Sequence, residues 1–385
     1  MWKKVSSFFV RFFCGNNKLL ILACAFASTY GCALVYSANY SAGGSMSGFI
    51  TQLGASAIGL LLALIMSQFD YEDICSLWPV YAVIALVLMV LTFTPLGLNV
   101  AGTDDTAWLG FPFGTDNPLV TIQPSEFLKI VFIITFSKHL AYVREHVSRP
   151  LTVALLCLHG LAPAVLVFAQ GDDGTALVFL CIFVSMMFVS GLSIVYFLIA
   201  GAGIGAMVPL LWQHLDEQKT ARILALINPD AYLETTGWQQ YHGLIAIGSG
   251  QLDGVGYLQG GNVSLYARNN DFVFTVAAEE FGFIGSLALL GVIVLILIAI
   301  LKSALRARDR LGMNLCVGMM ALIAFQSIIN LGMNVRLLPV IGITLPFFSA
   351  GGTSALTLYL GIGLVLSVCF SSRYRVKNTI FAKRL

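Results

Sequence analysis

A small set of charged and polar residues lies where apolar segments of the sequence begin. Glu126 and Lys129 follow Gln123 and Ser125 at the start of one apolar segment, and Asp271 stands just before another. A carboxylate at a boundary between water and an apolar phase can accept a proton from a hydroxyl group, and an ammonium group can stabilise a departing phosphate. These residues are therefore candidates for base catalysis and for substrate binding.

The composition identifies the kind of protein that must position them. Hydrophobic residues make up 58% of the 385 residues and charged residues only 10%, whereas a soluble domain carries about 25% charged residues. We therefore expect an all-α integral membrane protein, with residues 1–385 forming one polytopic membrane domain. A formal net charge of +2 gives no indication of nucleic-acid binding.

About ten apolar segments are long enough to cross a hydrocarbon core of about 30 Å as helices. A large extracytoplasmic loop, residues 213–272, separates the seventh segment from the eighth. The predicted spans are residues 19–38, 48–68, 74–94, 124–143, 152–169, 174–190, 193–212, 273–301, 313–333 and 353–371.

The distribution of positive charge predicts the orientation. Most of the 21 Lys and Arg residues lie in the N-terminal arm, in the 144–151 and 302–311 loops and in the C-terminal tail. Because basic loops stay in the cytoplasm, both termini are predicted to be cytoplasmic and the 213–272 loop extracytoplasmic. None of the eight Cys lies in a loop assigned to the outside, so we expect free thiols.

Each polar segment also has a purely structural interpretation. Glu126 and Lys129 form either a local ion pair at a capped helix start or a pair that faces a cavity. The turn 170–175 is either an ordinary helix cap or part of a site. Asp271 could likewise be a helix cap, and the proline-rich segment 337–354 is either a re-entrant or broken helix or a simple hairpin.

Two further acids, Glu279 and Glu280, lie about two helical turns beyond Asp271. Carboxylates at this depth in an apolar helix need polar partners. The sequence therefore predicts that other polar groups approach this part of the helix.

Five motifs occur in order along nearly the whole chain: QPSEFLK, GDDGTALV, LIAIGSGQLDGVG, NNDFVFTVAAEEFGFIG and LLPVIGITLPFFSAGGTS. Together they resemble the SEDS family (shape, elongation, division and sporulation), which includes FtsW and RodA. Any one of these motifs is weak evidence, but five in one order are specific.

The resemblance implies a multi-pass protein of the bacterial cytoplasmic membrane. It implies a peptidoglycan glycosyltransferase that polymerises lipid II at the outer face, with undecaprenyl diphosphate as the leaving group. The catalytic aspartate of the family falls on Asp271, and its glutamate and lysine fall on Glu126 and Lys129. Gln123, Ser125 and Ser349 are expected to line the cavity.

The resemblance also implies partners and cofactors. The expected partners are a class B penicillin-binding protein, which is a transpeptidase, together with lipid II and membrane lipids, and no nucleic acid. No organic cofactor is expected. The positive charge that the leaving diphosphate needs could come from Lys129 or from a divalent cation.

The chain departs from the family pattern at several cations. Ala107 precedes Trp108 where the family has Arg, and Val255 replaces a Lys. We hypothesise that Arg336 binds the diphosphate instead, with Arg268 closer to the acceptor or to a partner protein. In the alternative, both are interface residues that reach towards water. Two other functions stay open: a flippase for a lipid-linked precursor, and a non-catalytic scaffold of division or spore formation.

Overall fold

The computed structural model describes residues 17–41, 43, 46–99, 106–112, 114, 118, 120–213, 215–261 and 265–382, of which 211 and 372–382 are described by their backbone alone. Most of the basic N-terminal arm and the end of the basic tail lie outside these ranges. The described chain is nearly all helical, which confirms the predicted fold class.

The α-helices are numbered here in chain order. Short 3-10 turns at Arg144–His146 and Pro229–Tyr232 separate some of them. The helices are α1 (Lys18–Ser41), α2 (Ser47–Met66), α3 (Tyr71–Ser76), α4 (Trp78–Thr92), α5 (Pro124–Tyr142), α6 (Pro150–Phe168), α7 (Asp173–Val189), α8 (Ile194–Trp212), α9 (Glu217–Ile227), α10 (Trp238–Ser249), α11 (Val273–Leu305), α12 (Arg310–Asn334) and α13 (Gly352–Ala382).

Every predicted span overlaps at least one of these helices, and the 74–94 span covers the end of α3 and all of α4. Six of them, α1, α2, α6, α11, α12 and the part of α13 up to Ser371, are long and apolar enough to cross a membrane. Helices α4, α7 and α8 are also apolar, but their apolar stretches are shorter than the length needed to cross a membrane. Helix α5 is less apolar, because it contains Glu126, Lys129 and Lys138. The exact number of spans therefore stays a prediction.

A small antiparallel sheet is an addition to the expected all-helical fold. Its strands β1 (Gly97–Leu98), β2 (Trp108–Phe111) and β3 (Val120–Ile122) lie in the order β1-β2-β3. Strand β3 ends directly before α5. Thr353 at the start of α13 donates to Thr121 O and accepts from Gln123 N, both at 3.4 Å, so the sheet helps to fix where α5 begins.

The 213–272 loop contains two helices that the sequence did not indicate. Asp216 caps α9 by accepting from Lys219 N at 2.7 Å, and α10 follows after a 3-10 turn. The segment predicted as a loop therefore contains two short helices, of 11 and 12 residues. Helix α9 has only 11 residues and is amphipathic, with five polar or charged residues among them, and α10 contains Gly243 and Gly248, which have low helix propensity.

Helix α11 is broken at Gly282, which has φ 61° and ψ −156°. On one side of the break, Glu279 O and Glu280 O accept from Val255 N at 2.9 Å and Gly256 N at 3.1 Å. Beyond it, Phe283 N donates to Gln251 O at 2.9 Å. The glycine-rich segment 251–256 thus satisfies the backbone groups that the break exposes.

The proline-rich segment before α13 is non-helical and largely buried. Ile343, Leu345, Phe347 and Phe348 are each at most 3% exposed. Its backbone lies so close to α1 that a Cβ atom on Gly31 would be 2.5 Å from Phe348 Cα. Irregular backbone buried in this way against protein is compatible with a membrane domain. It fits the re-entrant alternative that the sequence left open, although the segment contains no helix that could be broken.

Seven cysteines lie within the described residues, and all seven are free thiols. This confirms, for that part of the chain, the expectation that no disulfide framework holds the fold.

Candidate functional site

Asp271 lies in the turn that leads into α11. Its backbone carbonyl accepts from Asn330 Nδ2 and from Asn334 Nδ2, both at 2.9 Å. The capping position of α11 is occupied by Phe272, and no side chain caps that helix. The helix-cap interpretation of Asp271 is therefore wrong, and its Oδ1 atom is buried with no hydrogen-bond partner among the described residues.

The extended segment 339–345 lies beside this carboxylate. A Cβ atom on Gly342, whose φ is +68°, would lie 4.0 Å from Asp271 Oδ2. Asn330, which holds Asp271 O, also donates to Ile343 O at 2.7 Å. One buried amide of α12 therefore fixes both the turn that carries Asp271 and the segment that faces it.

Ser349 joins the same two parts of the chain. Its hydroxyl donates to Asn270 O at 2.6 Å and accepts from Leu345 N at 2.8 Å. Next to it, Ala350 N donates to Asn269 O at 2.9 Å. Ser349 is therefore a positioning residue for the Asp271 turn, since its hydroxyl is used by backbone groups.

Asp172 is a second carboxylate on this side of the molecule. It caps α7 by accepting from Thr175 N at 2.8 Å, and its other oxygen accepts from Gln123 Nε2 at 2.9 Å. A Cβ atom on Gly174 would lie 2.3 Å from Ile341 O, so the segment 339–345 packs against the start of α7. Asp172, for which the sequence left open a helix cap or a part of the site, caps α7 and also lies near enough to influence Asp271.

Glu126 and Lys129 form the expected ion pair. Lys129 Nζ donates to Glu126 Oε1 at 2.7 Å, and the two residues are 1% and 5% exposed respectively. Thr357 Oγ1 lies 3.5 Å from the other oxygen of Glu126. Ser125 Oγ is also buried, and no described residue hydrogen-bonds to it.

The two aspartates share an electrostatic environment. Burial, and to a smaller extent the nearby carboxylate of Asp172, together raise the pKa of Asp271 to about 6. Burial also raises the pKa of Asp172, although its bonds to Thr175 and the charge of Lys129 oppose that shift. A carboxyl group with a pKa of about 6 is a suitable general base at neutral pH.

Arg268 occupies a different buried cluster. It forms an ion pair with Glu279 and is 7% exposed, and Glu279 also accepts from Gly261 N at 3.1 Å. Glu280 accepts from Ser37 Oγ and from Leu258 N. The prediction that both glutamates have polar partners is confirmed, and Arg268 does not reach towards water.

Arg336 contacts the outer loop. It has φ +61°, its Nη2 donates to Ala225 O of α9 at 3.5 Å, and its Nε is buried without a partner in the described part of the chain. These contacts place the guanidinium beside α9. Its role in diphosphate binding stays a prediction.

Three polar residues that support the site were missed from the sequence. Asn330 and Asn334 hold Asp271 O, and Gln240 donates to Met333 O at 2.9 Å and to Leu338 O at 2.7 Å. The spacing of Asn330 and Asn334 in an apolar helix was the available signal, because buried amides at membrane depth need partners. No signal of this kind marks Gln240, which lies in a polar stretch.

Among the residues that the structure describes, no three His, Cys, Asp or Glu side chains are grouped so that they could hold a metal ion. Asp172 already uses both carboxylate oxygens in hydrogen bonds. The described residues do not form a metal site by themselves, and the divalent cation stays a prediction.

Comparisons with known proteins agree with the motifs. Residues 17–374 match the FTSW_RODA_SPOVE family model, described as cell cycle protein. The chain is 31% identical to peptidoglycan glycosyltransferase MrdB of Escherichia coli (strain K12), over 87% of this chain and 90% of the relative. It is 30% identical to stage V sporulation protein E of Bacillus subtilis (strain 168), over 92% and 97% of the two chains.

Solved structures show the same fold. A chain from a study of how a peptidoglycan synthase complex coordinates polymerization and crosslinking superposes with a TM-score of 0.78 at 27% identity, over 92% of this chain and 97% of that one. The rod shape determining protein RodA of Thermus thermophilus gives a TM-score of 0.65 at 29% identity, over 91% and 95%.

Proposed function

The chain belongs to the FtsW/RodA/SpoVE family of cell cycle proteins, and we propose that it is a peptidoglycan glycosyltransferase that polymerises lipid II with Asp271 as its general base. The relatives named peptidoglycan glycosyltransferase support the activity. The observation that carries the role of Asp271 is its buried Oδ1 atom, which has no hydrogen-bond partner among the described residues.

In this reaction a sugar hydroxyl attacks the anomeric carbon of a second lipid-linked saccharide. The hydroxyl proton passes to Asp271, and the hydroxyl oxygen forms the new glycosidic bond. The bond between the anomeric carbon and the diphosphate breaks, and its electron pair leaves with the undecaprenyl diphosphate. A raised pKa suits this role, because the base must bind the proton strongly enough to assist the attack.

Lys129 is the cation that we assign to the leaving group. It is close enough to Asp172 to oppose the rise in that residue's pKa, and Asp172 in turn influences Asp271. The ion pair with Glu126 holds the ammonium group at a fixed place, and a fixed charge stabilises a developing phosphate charge better than a mobile one.

The partner that we propose is a class B penicillin-binding protein. The structural relative that comes from a peptidoglycan synthase complex supports a chain of this fold working beside a crosslinking enzyme. The basic N-terminal arm, the 302–311 loop and the tail support cytoplasmic termini. In that orientation Asp271 would lie at the outer face, where the partner would act.

The substitution Asp271→Asn tests the assignment. The amide has nearly the same shape but cannot accept the proton, so we expect polymer formation from labelled lipid II to fall by at least about 100-fold. Membrane insertion and the melting temperature should change little. Asp253→Asn is the matched control, because Asp253 is an exposed carboxylate in the same outer loop.

Polymer retained at the parental level after Asp271→Asn would refute the base assignment. The same assay with the parental protein separates the enzyme from a flippase or a scaffold, since neither of those would yield polymer from purified components.

A further inference from the structure

A cavity lies in the outer loop, between the end of α9 and the start of α10. Its volume is about 520 Å³, within the range of about 300–1,000 Å³ that is usual for small-ligand sites. Its lining includes Arg222, Glu234, Thr236, Trp238, Gln239 and Val340. The catalytic role of Asp271 makes no use of this cavity.

Trp238 forms a fixed aromatic wall of the cavity. Its indole stacks on the imidazole of His242, with ring centroids 4.2 Å apart and an interplanar angle of 30°. His242 Nδ1 also lies 2.9 Å from Trp238 O. The histidine therefore supports the indole on one side, and Trp238 remains half-buried at the cavity. Such a rigid aromatic surface suits a ligand with an apolar face and polar edges.

The other lining residues provide both hydrogen-bond donors and hydrogen-bond acceptors. Gln239 offers a donor and an acceptor, Thr236 offers a hydroxyl, and Glu234 offers carboxylate oxygens. The charges of Glu234 and Arg222 balance each other, so the cavity does not select for an anion. A sugar ring fits this chemistry, because it has C–H groups on its faces and hydroxyl or amide groups around its edge.

The cavity is joined to the segment that faces Asp271. Arg222 Nη1 donates to Val340 O at 3.4 Å, and Val340 is two residues from Gly342, a distance of at most about 7 Å along the chain. Next to Gln239, the buried Gln240 is anchored to Met333 O and Leu338 O. Hydrogen bonds thus connect the cavity lining to the segment that faces Asp271.

We propose that this cavity is a saccharide subsite that holds sugar rings of the growing glycan, away from the bond that is being formed. The inference rests on the proposed function, because it takes the ligand to be the product strand of the polymerase. A subsite of this kind keeps the strand bound between additions, so its loss shortens the product.

The test measures binding and product length separately. The binding probe is a soluble, uncrosslinked tetrasaccharide of alternating N-acetylglucosamine and N-acetylmuramic acid, titrated by saturation-transfer NMR into the full-length Asp271→Asn protein. Because this protein does not need to turn over, the binding result does not depend on Asp271 being the base. Product length is read from gels of labelled lipid II polymer with Asp271 intact.

We expect Trp238→Ala to weaken tetrasaccharide binding at least tenfold and to shift the polymer to shorter strands. Gln239→Ala, which removes a polar contact without touching the stacked rings, should weaken binding in the same direction. Trp212→Ala is the matched control, since Trp212 is a 40% exposed tryptophan at the end of α8 outside the cavity lining. Trp238→Phe should restore part of the binding if the aromatic surface is what matters.

Parental binding and strand length in both Trp238→Ala and Gln239→Ala would overturn the proposal. So would equal losses in Trp212→Ala. If the cavity variants bind the tetrasaccharide normally but lose co-purification with a class B transpeptidase, the cavity is a protein-docking surface and the saccharide assignment is wrong.

Discussion

The carboxylate of Asp271 is held by its backbone, while its side chain is left available. Asn330 and Asn334 bind the carbonyl of this residue, and Ser349 binds the carbonyl of the residue before it. The Oδ1 atom is enclosed but unpaired within the described structure. An unpaired buried oxygen costs stability, and such costs are typical of positions that a substrate completes.

The raised pKa of Asp271 leads to a prediction about pH. Only the deprotonated carboxylate can accept a proton, so the polymerisation rate should rise with pH through about 6 and then level off. Stability should change in the opposite direction. Because the pKa in the folded state lies above the usual 3.8, the folded protein loses stability as the pH rises from that value through about 6.

The measurement is the initial rate of lipid II polymerisation between pH 4.5 and pH 8, compared at saturating substrate. Asp253→Asn should keep the acidic limb of the profile, whereas the residual activity of Asp271→Asn should lack it. An acidic limb that persists in Asp271→Asn would assign the titration to another group.

The Glu126–Lys129 pair leads to a second prediction at this scale. Glu126→Gln or Lys129→Met leaves one charge buried without its partner, which costs on the order of 3–5 kcal/mol in a fully buried pair. The double variant should be less destabilised than the sum of the two single variants. Thermal unfolding in one detergent, read as a double-mutant cycle, measures this coupling.

The Arg308–Glu72 pair is the natural comparison. Its side chains are 25% and 44% exposed, and a solvent-exposed ion pair contributes only about 0–1 kcal/mol. A coupling at Glu126–Lys129 as small as the one at Arg308–Glu72 would show that the buried pair is not important for the fold.

At the scale of elements, the break in α11 explains why the glycine-rich segment lies where it does. Gly282 adopts a backbone conformation that is essentially restricted to glycine. A Cβ atom there would lie 2.4 Å from Gly254 N and 2.5 Å from Leu252 O. The break and the docked segment therefore depend on each other.

Gly282→Ala should consequently destabilise the protein by about 1–3 kcal/mol, through strain at this position. Gly291→Ala in the same helix is the matched control, because nothing lies within 4 Å of its added Cβ. In a helix interior the change from glycine to alanine is expected to stabilise by roughly 0.5–1 kcal/mol. Melting temperatures that fall equally for both variants would contradict this account of the break.

Sequence reasoning located the helices well but described the outer loop poorly. Each predicted apolar segment overlaps a helix, because burial in lipid demands long apolar stretches, while six of these helices are long and apolar enough to cross a membrane. Helices α9 and α10 were missed, because tertiary contacts such as those of Gln240 stabilise them. The contact between Gly174 and Ile341, which brings Asp172 towards Asp271, joins distant parts of the chain and leaves no local pattern in the sequence.

At the scale of the whole molecule, the order of the five motifs predicted the family, and the family match over residues 17–374 confirms it. The roles of Arg268 and Arg336 could not be predicted in the same way. The sequence suggested diphosphate binding for Arg336 and a place near the acceptor or a partner protein for Arg268. The structure pairs Arg268 with Glu279 and brings Arg336 into contact with α9, and both proposed roles stay predictions. A residue type indicates possible chemistry, whereas the partner that it meets depends on the packing of separate elements.

The orientation of the molecule determines whether Asp271 can meet lipid II at the outer face. We expect an impermeant maleimide to label Asp253→Cys in intact cells, because the basic segments should hold the opposite side in the cytoplasm. Arg308→Cys, in the exposed part of the 302–311 loop, should react only after permeabilisation. Both variants belong in a background from which the eight native cysteines have been removed, so that each signal reports one position. Labelling of Asp253→Cys only after permeabilisation would place the outer loop in the cytoplasm, and polymerisation at the outer face would then be excluded.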